Sequence, residues 1–205
     1  MIAGYGHDDR SASYASLRAI TESNPKHTTI SLFYDNEETG SFGAFGAKSK
    51  FFENIIDILI RQSNEKTYSD LVFSNTQVLS ADVDDAANPN FPEVYDMANA
   101  LFMGNGICIS KYGGGGGKYS TNEATAEFTS KIISLFDKNN ISWQTGELGR
   151  IDEGGGGTIA MYLADKGCDV IDAGPAVMGM HSPIELISKV DLWMTFKAYK
   201  AFLED

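Results

Sequence analysis

Apolar, β-branched runs alternate with segments of helical periodicity along the chain. Phe128, Ile132 and Leu135, for example, recur at i, i+4 and i+7, which places all three on one face of a helix. Such a stripe is typical of core packing. The same patterns predict helices at about residues 11–21, 44–61, 93–102, 122–138, 157–166 and 183–203. They predict strands at residues 28–34, 70–80, 106–112, 141–148 and 169–173.

This alternation of strands and helices predicts an α/β fold, in which helices flank a layered, mostly parallel central sheet. The sequence contains no internal repeat and no Pro- or Ser-rich linker, so we expect residues 1–205 to form one domain. In open α/β sheets, ligands bind beyond the carboxyl ends of the strands. The loops that follow predicted strands are therefore the first place to look for a site.

The composition narrows the class of protein. A chain of 205 residues with 42% hydrophobic and 21% charged residues is long and apolar enough for a substantial globular core. The formal net charge of −12, without a basic cluster, argues against nucleic acid or an anionic membrane as partner. No apolar run reaches the ~18 residues of a membrane span, and the first residues lack a signal-peptide pattern. Cys108 and Cys168 lie in apolar runs and are expected to be reduced core thiols of a cytoplasmic protein.

Two adjacent carboxylates, Glu37 and Glu38, follow the first predicted strand. Alone, such a pair is usually a solvated turn. Asp82 and His181 also follow predicted strands, and Asp8 precedes the first predicted helix, so the fold can gather all of them at one edge. A metallohydrolase needs this combination: side chains that bind the metal, and a free carboxylate that takes a proton from water.

Two glycine-rich segments suggest phosphate-binding loops but do not fit. Residues 113–117 are followed by Lys118, yet Tyr112 stands where a P-loop needs its first glycine and Tyr119 where it needs Ser or Thr. Residues 40–46 have the spacing G-x-x-G-x-x-G, which differs from the dinucleotide-binding loop. We expect mobile or tight loops here, and nucleotide binding remains a minor alternative.

A series of short segments carries a more specific signal. In chain order they are residues 4–10 with 14–20, residues 35–41, Ser80-Ala81-Asp82, Pro89-Asn90, residues 154–160 and residues 180–185. Together these segments resemble the aspartyl-aminopeptidase family of zinc metallopeptidases, which includes vacuolar aminopeptidases. The resemblance spans nearly the whole chain, in the order of the family.

The resemblance implies a dinuclear zinc aminopeptidase that releases an N-terminal, often acidic or neutral, residue from peptides. The family's bridging aspartate falls on Asp8, its general base on Glu37, and its other metal ligands on Glu38, Asp82 and His181. These ligands suit zinc, and also cobalt or manganese. The relatives assemble into large homo-oligomers, so the resemblance also implies a homo-oligomer whose partner is a peptide substrate.

Two departures from the family matter. Family members are about twice as long, with a further histidine ligand and an intervening dimerisation domain that have no counterpart in these residues. By resemblance, the missing histidine shares its metal with Asp8 and Asp82. We therefore expect one fully liganded zinc site, of Asp8, Glu38 and His181, and one incomplete site.

The glycine-rich loops are the second departure, because the run at residues 113–117 is more monotonous than in the family. Substrate contacts are expected from Lys118 and from Gly155 and Gly156 in the loop after residue 153. Two functional readings stay open at this point. The chain is an active metal-dependent aminopeptidase, or it is a truncated, inactive remnant or subunit that binds one zinc and associates with a full-length relative.

Overall fold

The computed structural model describes residues 1–116, 119–150 and 152–205. Its helices are α1 (His7–Glu22), α2 (Phe51–Ser63), α3 (Ser69–Ser74), α4 (Ala126–Lys138), α5 (Ala160–Ala164) and α6 (Lys189–Glu204). Its strands are β1 (Ile2–Gly4), β2 (Gln77–Ser80), β3 (Asp84–Asp85), β4 (Ile107–Ser110), β5 (Trp143–Thr145), β6 (Asp169–Met178) and β7 (Glu185–Ile187). Short 3-10 turns cover Glu37–Thr39 and Pro92–Val94.

The sheet is built around β6, the longest of the described strands. β2 and β3 pair with β6 in parallel, and β5 pairs with β4 in parallel. β4 and β7 run antiparallel to β6, and β1 runs antiparallel to β7. The predicted mostly parallel sheet is therefore wrong, because the described strands form a mixed sheet. The short connection 179–184 between β6 and β7 allows only an antiparallel return.

Helices lie on both sides of β6, as the predicted α/β layers require. Ile171 belongs to the apolar cluster formed with α1, α4 and α6. Its neighbour Val170 belongs to the cluster formed with α2, α3 and α5. Since successive side chains of a strand point to opposite faces, the two clusters cover opposite faces of the sheet.

The predicted stripe on α4 is buried as expected. Phe128 and Ile132 are almost completely buried, and Leu135 is buried beside them. The helix begins where the Thr125 hydroxyl accepts a hydrogen bond from the backbone N–H of Phe128, at 3.2 Å. This cap, followed by apolar residues at helical spacing, explains why the helix was predictable from sequence.

Several predicted elements are wrong or shorter than expected. Residues 28–34 form no strand: Leu32 and Tyr34 pack against the cluster around α2, but the segment has no paired neighbour. Residues 70–80 divide into α3 and β2. Residues 93–102 do not form an α-helix. The Asp96 carboxylate accepts hydrogen bonds from the Ala98 N–H and the side-chain amide of Asn99, and these bonds stabilise a turn instead.

The remaining predicted elements exist with shifted ends. α2 begins at Phe51, since residues 44–50 form turns, and residues 185–187 of the last predicted helix form β7. Cys108 and Cys168 are buried and free, as predicted. Among the described residues, no helix is both long and apolar enough to cross a lipid bilayer.

Candidate metal centre

One cleft contains all of the side chains that the sequence predicts as metal ligands or general base. Asp8, Glu37, Glu38, Asp82 and His181 all line it. They come from four separate segments: the start of α1, the 3-10 turn at residues 37–39, the connection between β2 and β3, and the turn between β6 and β7. The fold therefore gathers them in one cleft, which Asp172 from within β6 also lines.

Asp8, Glu38 and His181 form a compact group that fits a metal ion. One ligand atom from each lies within 4.8 Å of the others. His181 Nε2 lies 3.0 Å from Asp8 Oδ2 and 3.3 Å from Glu38 Oε2. Ligand atoms at ~2.0–2.1 Å from a tetrahedral zinc lie roughly 3.3 Å apart, so carboxylate oxygens and imidazole nitrogen stand at suitable spacing.

Asp8 is positioned by the turn between β1 and α1. Gly6, with φ of +72°, turns the chain sharply, and Asp8 itself has non-helical dihedral angles within the first turn of α1. The backbone N–H of Asp8 donates to Glu185 Oε2 at 3.0 Å. The Asp8 side chain is 9% exposed, so its carboxylate lies at the floor of the cleft.

His181 lies in the turn that links β6 to β7. Its backbone has φ of +64°, a left-handed conformation that is uncommon for residues other than glycine. Its N–H donates to Glu185 Oε1 at 3.0 Å, and Ser182 N–H donates to Gly179 O at 3.0 Å within the turn. The imidazole is 64% exposed, so it lies on the open side of the cleft.

Glu37 and Glu38 do not end a strand, contrary to the sequence pattern. They lie in a 3-10 turn flanked by Asn36, with φ of +62°, and Gly40, with φ of +98°. The Ser41 N–H donates to Asn36 O at 2.7 Å and closes the loop. The turn directs both neighbouring carboxylates into the same cleft, which the alternation of a strand would not.

Asp82 follows β2 as predicted. Gly174 of β6 leaves room for the backbone of Asp82, which packs directly against it. A β-carbon at Gly174 would lie 1.7 Å from the carbonyl oxygen of Asp82, so only glycine fits this contact. The Asp82 side chain accepts a hydrogen bond from Val83 N–H at 2.8 Å. Asp82 lines the cleft but is not a member of the compact group of three.

The cleft concentrates negative charge. Burial, followed by the charge of Glu38, raises the pKa of Asp8 to about 7. Burial and the neighbouring carboxylates Asp9 and Asp8 hold the pKa of Asp82 well above its ordinary value. Burial and Glu38 also raise the pKa of Glu37. A bound divalent cation would relieve this repulsion, and it reverses the direction of such shifts.

The sequence analysis missed further polar residues of the cleft. Asp84 and Asp172 line it. A carboxylate oxygen of Asp84 accepts a hydrogen bond from the Ser110 hydroxyl, and Asp172 Oδ1 accepts one from Thr158 Oγ1 at 2.7 Å. Burial raises the pKa of Asp84 to about 7 and that of Asp172 to about 6. The spacing of Asp82 and Asp84, two residues apart, was an available signal, because alternate residues of an extended segment share a face.

The predicted substrate-binding glycines lie beside the cleft. Gly156 lines it, and Gly155 next to it has φ of +100°. Gly114 N–H donates to Gly156 O at 2.6 Å, so the two glycine-rich loops contact each other at the rim. The predicted contact from Lys118 lies outside the described residues.

Comparisons with known proteins agree on one family. The model of the family "Aminopeptidase I zinc metalloprotease (M18)" matches residues 1–203. A probable M18 family aminopeptidase 1 of Thermotoga maritima is 43% identical over 207 residues, which cover 100% of this chain and 46% of that protein.

Solved structures show the same relationship. The crystal structure of an M18 aminopeptidase from Thermotoga maritima matches with a TM-score of 0.95 and 43% identity, over 98% of this chain and 46% of that one. The Saccharomyces cerevisiae mApe1, described as a dodecamer, matches with a TM-score of 0.77 and 27% identity, over 98% of this chain and 45% of that one.

The α/β layered fold, with carboxylates and an imidazole clustered in one cleft, defines the class as a protein with a candidate metal centre. The chain belongs to the M18 family of zinc metalloproteases, as the resemblance of its motifs predicted. It spans about half the length of the curated relatives that it matches.

Proposed function

We propose that this chain carries the metal centre of a zinc-dependent aminopeptidase. The observation that carries the proposal is the group of Asp8, Glu38 and His181, in which one ligand atom from each residue lies within 4.8 Å of the others. Glu37 is next to this group and lines the same cleft. When bound there, zinc supplies Lewis-acid polarisation of the scissile carbonyl and of a water molecule.

Glu37 is the proposed general base. It takes a proton from the attacking water and gives that proton to the leaving amine. It lines the cleft but does not belong to the group of three, so its carboxylate is free to accept a proton. Glu38, its neighbour, would hold the metal, so the two roles would be divided between adjacent residues.

Carboxylates also support exopeptidase action. Asp84 and Asp172 line the same cleft as the metal group and offer acceptors to the free α-ammonium of a peptide. An N-blocked peptide lacks that cation and would leave these carboxylates uncompensated. We therefore propose peptides with a free N-terminus as the substrate class.

We propose one tightly bound zinc per chain. Asp8 and Asp82 would serve a second metal, which by resemblance needs a further histidine ligand. Cobalt or manganese is the proposed substitute metal, because the same donor atoms bind them. A homo-oligomer and a cytoplasmic location are proposed alongside; the dodecamer described for the yeast relative supports the former.

The test combines a metal count with hydrolysis. Protein is loaded with zinc, dialysed, and assayed by elemental analysis, and then incubated with a peptide and with the same peptide acetylated at its N-terminus. We expect one zinc per chain and cleavage of the free peptide alone. Cleavage of both peptides would contradict an aminopeptidase. Bound zinc without cleavage would instead support the non-catalytic subunit.

A further inference from the structure

One buried carboxylate contacts the backbone of two proposed metal ligands. Glu185 is the first residue of β7 and is 2% exposed. Its Oε2 accepts the N–H of Asp8 at 3.0 Å, and its Oε1 accepts the N–H of His181 at 3.0 Å. Both oxygens of one side chain therefore hold segments from opposite ends of the chain.

Neither ligand segment is held by regular secondary structure at the ligand itself. Asp8 has φ of −81° and ψ of 108°, outside the helical range, and His181 has φ of +64°. The left-handed conformation of His181 persists when surrounding contacts fix it. The hydrogen bonds that Glu185 accepts from the N–H groups of Asp8 and His181 are contacts of this kind.

We propose that Glu185 is a positioning residue of the metal centre. It sets the separation between Asp8 and His181, because both backbones bond to one carboxylate whose oxygens are a fixed distance apart. Glu185 itself lies behind the ligands and does not belong to the group of three. This inference rests on the proposed function, since it requires that Asp8 and His181 bind zinc.

The chain offers a matched control for a substitution of Glu185. Asp191 is also a fully buried carboxylate that accepts two backbone N–H groups, from Gly104 at 2.6 Å and from Gly106 at 3.0 Å. It lies in α6 and accepts hydrogen bonds from the loop that contains Gly104 and Gly106, which contributes none of the proposed ligands. Replacing one of its two acceptor oxygens therefore tests the general cost of breaking such a bridge.

The experiment measures zinc affinity, by competition with a chromogenic chelator, for wild type, Glu185→Gln and Asp191→Asn. The Gln amide keeps one acceptor oxygen but turns an NH2 group toward the second backbone N–H. Residues behind metal ligands typically change affinity by ~10–100-fold. We expect a loss of this size for Glu185→Gln and an unchanged zinc affinity for Asp191→Asn.

A second variant and a second readout complete the test. Glu185→Asp keeps both oxygens but is one methylene too short to reach both N–H groups, so it should also weaken zinc binding. If Glu185→Gln does not fold, Glu185→Asp takes its place in the test. Amide hydrogen exchange of the metal-free protein should become faster at Asp8 and His181 in the Glu185 variants only.

The outcomes distinguish the positioning role of Glu185 from the proposed zinc-binding function of the site. Wild-type affinity in the Glu185 variants, or an equal loss in Asp191→Asn, would overturn the positioning role while leaving the zinc site intact. Wild-type protein that binds no zinc would overturn the proposed function and this inference together.

Discussion

The imidazole Nε2 of His181 lies 3.0 Å from Oδ2 of Asp8, although the two residues stand near opposite ends of the chain. The antiparallel pairing of β1 with β7 brings them together, since Gly4 pairs with Glu185 in this ladder. The group forms only when the sheet is complete. Metal binding and folding are therefore coupled, because the unfolded chain holds no preformed site.

Zinc is expected to stabilise the wild-type protein and not His181→Ala. At a free zinc concentration of about 100 times Kd, binding adds about 2.7 kcal/mol, which corresponds to a rise in Tm of roughly 5–10 °C for a domain of this size. Thermal unfolding with and without zinc measures the effect. His27→Ala, at an exposed histidine, is the matched control and should keep the full shift. A full shift in His181→Ala would remove His181 from the ligand set.

Glu37→Gln is expected to retain zinc and lose hydrolysis. The amide is nearly isosteric with the carboxylate but cannot take a proton, and a positioned base contributes about 10²–10⁴-fold in rate. The measurement is kcat beside the zinc content of the same preparation. Loss of zinc together with activity would show instead that Glu37 is a ligand.

The metal-free protein should lose stability as pH rises from about 4 to about 6, in part because of Asp172. Burial raises the pKa of Asp172 from 3.8 in the unfolded chain to about 6 in the folded one. The folded state then binds more protons than the unfolded state in this window, so its free energy of unfolding falls as pH rises.

Asp172→Asn should flatten this part of the pH dependence, while its side-chain oxygen still accepts the bond from Thr158. Urea unfolding at several pH values in the presence of a chelator gives the comparison. An identical slope in wild type and variant between pH 4 and 6 would show that burial does not raise the pKa of Asp172.

Gly174→Ala should disturb the segment that carries Asp82. The added β-carbon would overlap the Asp82 carbonyl oxygen, and overpacking of this kind costs at least about 1–3 kcal/mol. Gly4→Ala is the control, because its β-carbon would meet its nearest neighbour, His7, at an ordinary 3.5 Å. Chemical denaturation compares the two. Equal stability of both variants would show that β6 and the Asp82 loop do not pack as described.

Ile132→Ala should destabilise the fold by about 2–5 kcal/mol, because it removes buried methyl groups and leaves a cavity. Ile132 is fully buried between α4 and the sheet. Ile58→Ala is the matched substitution on α2, where the side chain is 51% exposed, and should cost far less. Urea denaturation of both variants measures their free energies of unfolding. Similar losses of stability at both sites would contradict the placement of α4.

What the sequence alone determined is local. The stripe Phe128, Ile132 and Leu135 predicts a helix and its buried face, because both follow from spacing within one segment. The motifs around Asp8 and His181 identified the family and the residues that face one cleft. These inferences need only residue types and short separations along the chain.

The tertiary structure decided what depends on distant segments. The direction of each strand beside β6, and the failure of residues 28–34 to form a strand, rest on which neighbour is available to pair. The 3.0 Å hydrogen bonds that the backbone N–H groups of Asp8 and His181 donate to Glu185 arise only after both ends of the chain meet. No pattern within a single segment records such contacts, because their energy depends on the position of the partner in the folded molecule.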